Sequence, residues 1–113
     1  MRRVQAAEAN AQQPTYKFGD LTVDFAKHLV SLGSENVKLT ATEYRIISYL
    51  ARNAGRVLSP DQILTQVWGY SYCGENHILQ VNMARLRRKL ESGVKENGYI
   101  LTRPSIGYMM QKD

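Results

Sequence analysis

One cysteine, Cys73, stands in 113 residues, so no internal disulfide can close this fold and a reducing compartment is expected. That thiol and two histidines match no zinc-ligand spacing, so no metal and no cofactor is expected. No apolar run approaches the roughly 20 residues that cross a bilayer. No charged start followed by an apolar middle marks a secretory leader, so a cytoplasmic chain without membrane contact is expected. Catalytic patterns are missing too. There is no Gly-rich phosphate cradle, no nucleophile elbow, no recognisable triad and no carboxylate cluster for a nuclease metal, so an enzyme is not expected. Prolines number three, and Pro14, Pro60 and Pro104 each fall where a linker, a helix start or a turn is otherwise indicated.

The totals describe an ordinary soluble domain with one modest core, at 43% hydrophobic and 22% charged residues. The net charge of +5 points weakly to a polyanionic partner. Residues 1–15, MRRVQAAEANAQQPT, are polar and rich in Ala and Gln without an apolar stripe, and read as a linker. The folded domain is expected over 16–113. Tyr16–Phe18, Leu21–Asp24, His28–Leu32 and Asn36–Lys38 are candidate strands, separated by Gly19-Asp20 and Gly33-Ser34, a small antiparallel meander.

Three helices follow. Thr40 and Glu43 form a capping box, Tyr44, Ile47, Leu50 and Ala51 recur at helical spacing, and Gly55 is the expected stop. Ser59 and Gln62 form a second box with Pro60 at the first helical position, followed by Ile63, Leu64, Val67 and Trp68 up to Gly69. After a loop at 70–75, Asn76 is the expected cap of a third helix that Gly93 ends. Residues 99–111 read as two strands with Pro104-Ser105 at the tip.

The third helix is divided. At 100° per residue, Leu79, Met83, Leu86 and Leu90 share a narrow core sector. His77, Val81, Ala84, Arg85 and Arg88 lie opposite, flanked by Gln80 and Arg87 on one side and by Ile78, Asn82 and Lys89 on the other. A solvated helix whose last turns carry cations to suit the macrodipole explains Arg87–Lys89 equally well. Against that reading, residues 77–90 hold no Asp or Glu for i,i+4 pairing. Gln80, Asn82 and Arg85 can make paired hydrogen bonds to base edges, and small apolar Val81 and Ala84 suit close approach to a groove. A short capped helix, a loop, a longer basic helix and a hairpin make a helix-turn-helix with a wing.

The stretches LTATEYRIISYLARNAGRVLSPDQILTQVWGY, VNMARLRRKL and TRPSIGYMM, in that order, resemble the DNA-binding effector domain of OmpR/PhoB-type response regulators. The resemblance runs from about Tyr16 to Met110, and MRRVQ resembles the tail of a receiver domain's last helix. It implies an α+β winged helix-turn-helix: an N-terminal four-stranded antiparallel sheet, three helices and a C-terminal β-hairpin wing. It implies transcriptional regulation in a bacterial two-component phosphorelay, through double-stranded DNA carrying tandem half-sites. By the same resemblance Gln80, Val81 and Arg85 take base contacts, and His77, Asn82 and Arg87 take phosphates, with Arg88 beside them on the basic face. Trp68 and Tyr108 match aromatics that reach the DNA backbone, although a ring at Trp68 that mostly packs, with an edge left for a phosphate, is the competing reading. Thr102 matches a wing threonine, and the 70–75 loop matches one that can face RNA polymerase.

The departures are specific. Relatives often carry Arg at His77, Asp at Gln80 and His at Asn82. They carry Arg-Gly where Pro104-Ser105 stand, which leaves Arg103 one position early for a minor-groove arginine. The isolated domain is expected to be a monomer that pairs on DNA, since no coiled coil or apolar dimer face is evident. A winged-helix module that meets only acidic proteins stays open as a second reading, and salt-dependent binding to random duplex separates the two. Double-stranded RNA is a weaker third, because a helix does not enter the narrow major groove of A-form RNA.

Overall fold

The computed structural model describes residues 15–90 and 99–112. Residues 1–14 of the linker expected at 1–15, and Gly93 as the end of the third helix, lie outside the described residues. Four strands open the chain as an antiparallel meander in the order β1 (Thr15–Phe18), β2 (Leu21–Asp24), β3 (Leu29–Leu32) and β4 (Glu35–Asn36). Thr15, expected in the linker, already pairs with Asp24. Gly19 (φ 60) and Gly33 (φ 63) each take the first central position of a two-residue hairpin, the place where a type II′ turn requires a positive φ.

Two strand limits differ from expectation. His28 lies outside β3 in the left-handed region (φ 55), because the Lys27 amide donates to Asp24 Oδ1 at 3.0 Å and turns the chain there. Its ring stacks on Tyr44 with centroids 4.9 Å apart. β4 ends at Asn36, before the expected Lys38, and the Val37 amide returns to the Val30 carbonyl.

Helix α1 (Ala41–Arg52) begins as expected: Thr40 Oγ1 accepts from the Glu43 amide at 3.1 Å and Glu43 Oε1 accepts from the Thr40 amide at 3.0 Å. It buries Glu43, Ile46, Ile47, Leu50 and Ala51. Gly55 is not its stop. Asn53 closes the helix, and the Gly55 amide instead donates to the Met110 carbonyl at 2.9 Å, tying the α1–α2 link to the hairpin.

Helix α2 (Pro60–Val67) carries the second box, Ser59 with Gln62, and buries Ile63, Leu64 and Val67. Trp68 caps it, and the amides of Trp68 and Gly69 both donate to the Leu64 carbonyl, at 2.8 and 3.1 Å. One 3-10 turn, Tyr70–Tyr72, lies inside the 70–75 loop. The Gly74 amide donates to Asp61 Oδ1 at 3.0 Å and anchors that loop to the start of α2. Asn76 is the first residue of α3 (Asn76–Leu90) rather than its cap.

Strands β5 (Ile100–Arg103) and β6 (Gly107–Met110) close the chain as a hairpin. Leu58 exchanges both backbone hydrogen bonds with Tyr108, at 2.8 and 2.9 Å, so a single antiparallel bridge joins the α1–α2 link to the wing. That approach explains Gly107, where a Cβ would lie 2.0 Å from the Leu58 carbonyl oxygen. One core unites sheet, helices and hairpin through Leu21, Val23, Ile47, Leu50, Leu64, Leu79, Leu86, Leu90, Ile100 and Met110. At about 1.5–3 kcal/mol for each fully buried aliphatic side chain, this burial is the main favourable term that orients α3.

Candidate nucleic-acid interface

The stripe Leu79, Met83, Leu86 and Leu90 is buried against α1 and α2, as the helical wheel requires. With that face inside, the other must face out. His77, Gln80, Ala84, Arg85 and Arg88 are exposed, while Val81, Asn82 and Arg87 are half-buried. The outward face thus carries a row of cations and amides with two small apolar residues, and no carboxylate on the helix neutralises it.

Not every basic residue belongs to that row. Lys89 turns to the side and binds Glu43 Oε1 at 2.6 Å. Glu43 is 2% exposed. Burial alone pushes its carboxyl up, but the Lys89 hydrogen bond, the Thr40 backbone donor, the Lys89 charge and the Thr40 hydroxyl outweigh it and hold the group below its ordinary 4.5. Glu43 therefore serves both the cap of α1 and a clamp on the last described turn of α3. The sequence signal for the first role was the box; the second joins residues 46 positions apart and leaves no local trace.

Asn82 is partly committed as well: its Nδ2 donates to the Ile78 carbonyl at 2.9 Å, one turn back on its own helix. Its side-chain oxygen is the acceptor left for other use.

The wing lies beside the helix. Ile100 and Met110 pair on the core side of the hairpin, and Thr102 and Tyr108 pair two residues further out on the same face. Arg87 meets that face. Its Nη2 donates to the Ile100 carbonyl at 3.0 Å and to Thr102 Oγ1 at 2.5 Å, and its guanidinium carbon lies 5.7 Å from the centre of the Tyr108 ring. Arg103 is exposed at the end of β5, on the side of Leu101. Pro104 and Ser105 occupy the centre of the tip, where Ser105 has φ 66 and the Ile106 amide donates to the Arg103 carbonyl at 2.9 Å, the pattern of a type II turn with Pro first. Ile106 stands 60% exposed beside them.

An open cleft of about 310 Å³ separates the N-terminal half of α3 from the outer wing, lined by Leu79, Gln80, Thr102, Pro104, Ile106 and Tyr108 among others. Gln80, Thr102 and Tyr108 are thereby brought to one concavity. Trp68 lies elsewhere, half-buried at the end of α2 with its ring 6.4 Å from Tyr72. Tyr70 in the 70–75 loop is 81% exposed. Among the described residues no cluster of His, Cys, Asp and Glu could hold a metal, and no helix is long and apolar enough to cross a membrane.

The sequence profile described as "Transcriptional regulatory protein, C terminal" matches residues 33–110. The chain is 41% identical over 98 residues to the KDP operon transcriptional regulatory protein KdpE of Escherichia coli, covering 87% of this chain and 44% of that one. It is 37% identical over 109 residues to the transcriptional regulatory protein KdpE of Mycobacterium tuberculosis, covering 96% and 48%. The chain thus spans about half the length of the curated relatives it matches. Among solved structures, the Klebsiella pneumoniae RstA DNA-binding domain in complex with the RstA box superposes with a TM-score of 0.76 at 34% identity, covering 86% of this chain and 96% of that one. The Thermotoga maritima response regulator DrrB, an OmpR/PhoB homolog, superposes with a TM-score of 0.77 at 28% identity, covering 88% and 45%.

Proposed function

The chain belongs to the family of transcriptional regulatory protein C-terminal domains, and from that premise we propose that it is the DNA-reading half of a two-component response regulator. The observation that carries this reading is the division of α3: one face is core, and the other presents Arg85, Arg88, Gln80 and His77 without a carboxylate, next to a hairpin on the same side. A helix of this width fits the major groove of B-form DNA. The RstA relative, solved in complex with its box, supports the same use of this fold.

In this reading Gln80, Val81 and Arg85 read base edges. His77, Asn82, Arg87 and Arg88 hold phosphates, and Trp68, Thr102, Arg103 and Tyr108 add contacts at the margins. The exposed loop at 70–75, with Tyr70 in solvent, is the surface offered to RNA polymerase. Two domains occupy tandem half-sites. A phosphorylated receiver in the same polypeptide regulates them, in the cytoplasm. Catalysis has no place in this scheme.

The test is a titration of the domain with duplex DNA at rising salt. Each neutralised phosphate should contribute about −0.9 to the slope of log affinity against log salt. A flat titration, or equal preference for an acidic peptide, would favour the protein-only module instead. Selection from a random duplex pool then yields the motif and its repeat spacing.

A further inference from the structure

By resemblance alone, Arg87 and Tyr108 are separate contacts to a DNA backbone and Thr102 is a wing threonine. In the folded protein they touch one another. One guanidinium nitrogen of Arg87 gives a hydrogen bond to the Ile100 carbonyl and one to the Thr102 hydroxyl, and the plane of the group lies near the Tyr108 ring. Both strands of the hairpin are therefore gripped by one side chain of α3.

Elsewhere the hairpin is held at its inner end and, along β6, out to Tyr108. Met110 and Ile100 enter the core, the Tyr99 ring packs edge-on against Phe18 at 6.4 Å, and Leu58 bridges Tyr108. Towards the tip, the cleft of about 310 Å³ opens between wing and helix. An open gap supplies no dispersion contact to fix the angle between its walls. On the side of α3, the outer wing is then tied by the polar link at that edge, while Leu58 holds Tyr108 from the other side.

We propose that Arg87 is the positioning residue of the wing, setting the attitude of the hairpin to α3 so that both seat on DNA together, and that Arg87, Thr102 and Tyr108 act as one unit. This rests on the DNA-binding reading above. The planar guanidinium is the reason for arginine, because both bonds leave one nitrogen, Nη2, whose two N–H groups are fixed in the plane. A lysine ammonium keeps the charge but has no plane to lie over a ring and no rigid pair of donors for two fixed acceptors. Two of the five guanidinium N–H donors are used in this way, so a phosphate can still take the others, and charge and geometry have to be separated by experiment.

The experiment compares wild type, Arg87→Lys, Arg87→Ala, Thr102→Val and the double variant Arg87→Ala/Thr102→Val, on a selected duplex and free of DNA. If Arg87 positions the wing, Lys and Ala each weaken binding by roughly tenfold and the double variant loses no more than the worse single one. In the DNA-free protein, amide exchange at Leu101 and Met109, the hydrogen-bonded pair of the wing beside Thr102 and Tyr108, then quickens in both Arg87 variants, while the amides of α1 and α2 keep their protection. Binding by Arg87→Lys closer to wild type than to Arg87→Ala, multiplicative losses in the double variant, or unchanged wing exchange overturns the proposal and returns Arg87 to the phosphate contacts. A wild-type domain with no salt-dependent duplex binding overturns the DNA reading itself, a distinct result, since the wing-exchange comparison still reports on the packing role of Arg87.

Discussion

Arg85 projects from the middle of the exposed face of α3, where, among the described residues, no acceptor competes with a guanine edge for its guanidinium in the way Ile100 and Thr102 compete for Arg87. Arg85→Ala is expected to relax base choice at one position at a cost of about 1–3 kcal/mol, visible as a flattened column in a selected motif. An equal loss on every duplex would assign Arg85 to the backbone instead. Glu43 joins the cap of α1 to Lys89 on α3. Its native carboxyl titrates below the ordinary 4.5, so its contribution is complete above the unfolded value and fades as the pH falls through the lower native one. Glu43→Gln keeps an acceptor for the cap but loses the charge facing Lys89. The variant should be less stable than wild type at pH 7, with the gap narrowing in acid. A gap that stays constant down to the acid limb would show that the ion pair with half-exposed Lys89 contributes nothing measurable.

The wing is the element whose geometry depends most on one residue. Gly107 lets β6 pass against Leu58, and a Cβ there would stand 2.0 Å from a carbonyl oxygen. Gly107→Ala should break the Leu58–Tyr108 bridge and lower stability by more than about 1 kcal/mol, read as a shift of the denaturation midpoint, with loss of protection at the Leu58 and Tyr108 amides. A midpoint within error of wild type would mean the link can move aside. The tip carries a second expectation. Arg103 leaves β5 on the side away from Thr102 and the Pro104 ring stiffens the turn beyond it, so the wing should attract phosphates without preferring narrow A-tract grooves. Arg103→Ala on duplexes differing only in an A-tract under the wing tests this; a loss confined to the A-tract duplex would place Arg103 in the groove.

The whole molecule buries its largest apolar side chains in one core and leaves Leu29, Val57, Tyr70, Tyr72 and Ile106 as the exposed large hydrophobics among the described residues. Single exposed hydrophobics are normal on a monomer's surface. Light scattering without DNA should give the mass of one chain, and addition of a duplex with two half-sites should give two chains per duplex. A stable dimer in the absence of DNA would contradict this and direct attention to those exposed residues.

The residues alone determined the order of elements, both capping boxes and the buried stripe of α3, because each depends on neighbours within a few positions: a hydroxyl three residues from a carboxylate or amide, or apolar groups one turn apart. The two-sided character of α3, and hence the candidate interface, followed from that stripe. Where turns depend on a side chain's local choice the reading slipped, as at His28, Gly55 and Asn76, since several conformations compete there within a few tenths of a kcal/mol. Only the tertiary structure decided which cations are free. Lys89 is drawn to Glu43 across 46 positions, and Arg87 to Ile100 and Thr102 across 13 and 15, so two members of the basic run hold the protein together before any ligand arrives. The physical reason is that an ammonium or guanidinium reaches any acceptor the fold brings near it, and nearness in space is set by the core rather than by the order of residues along the chain.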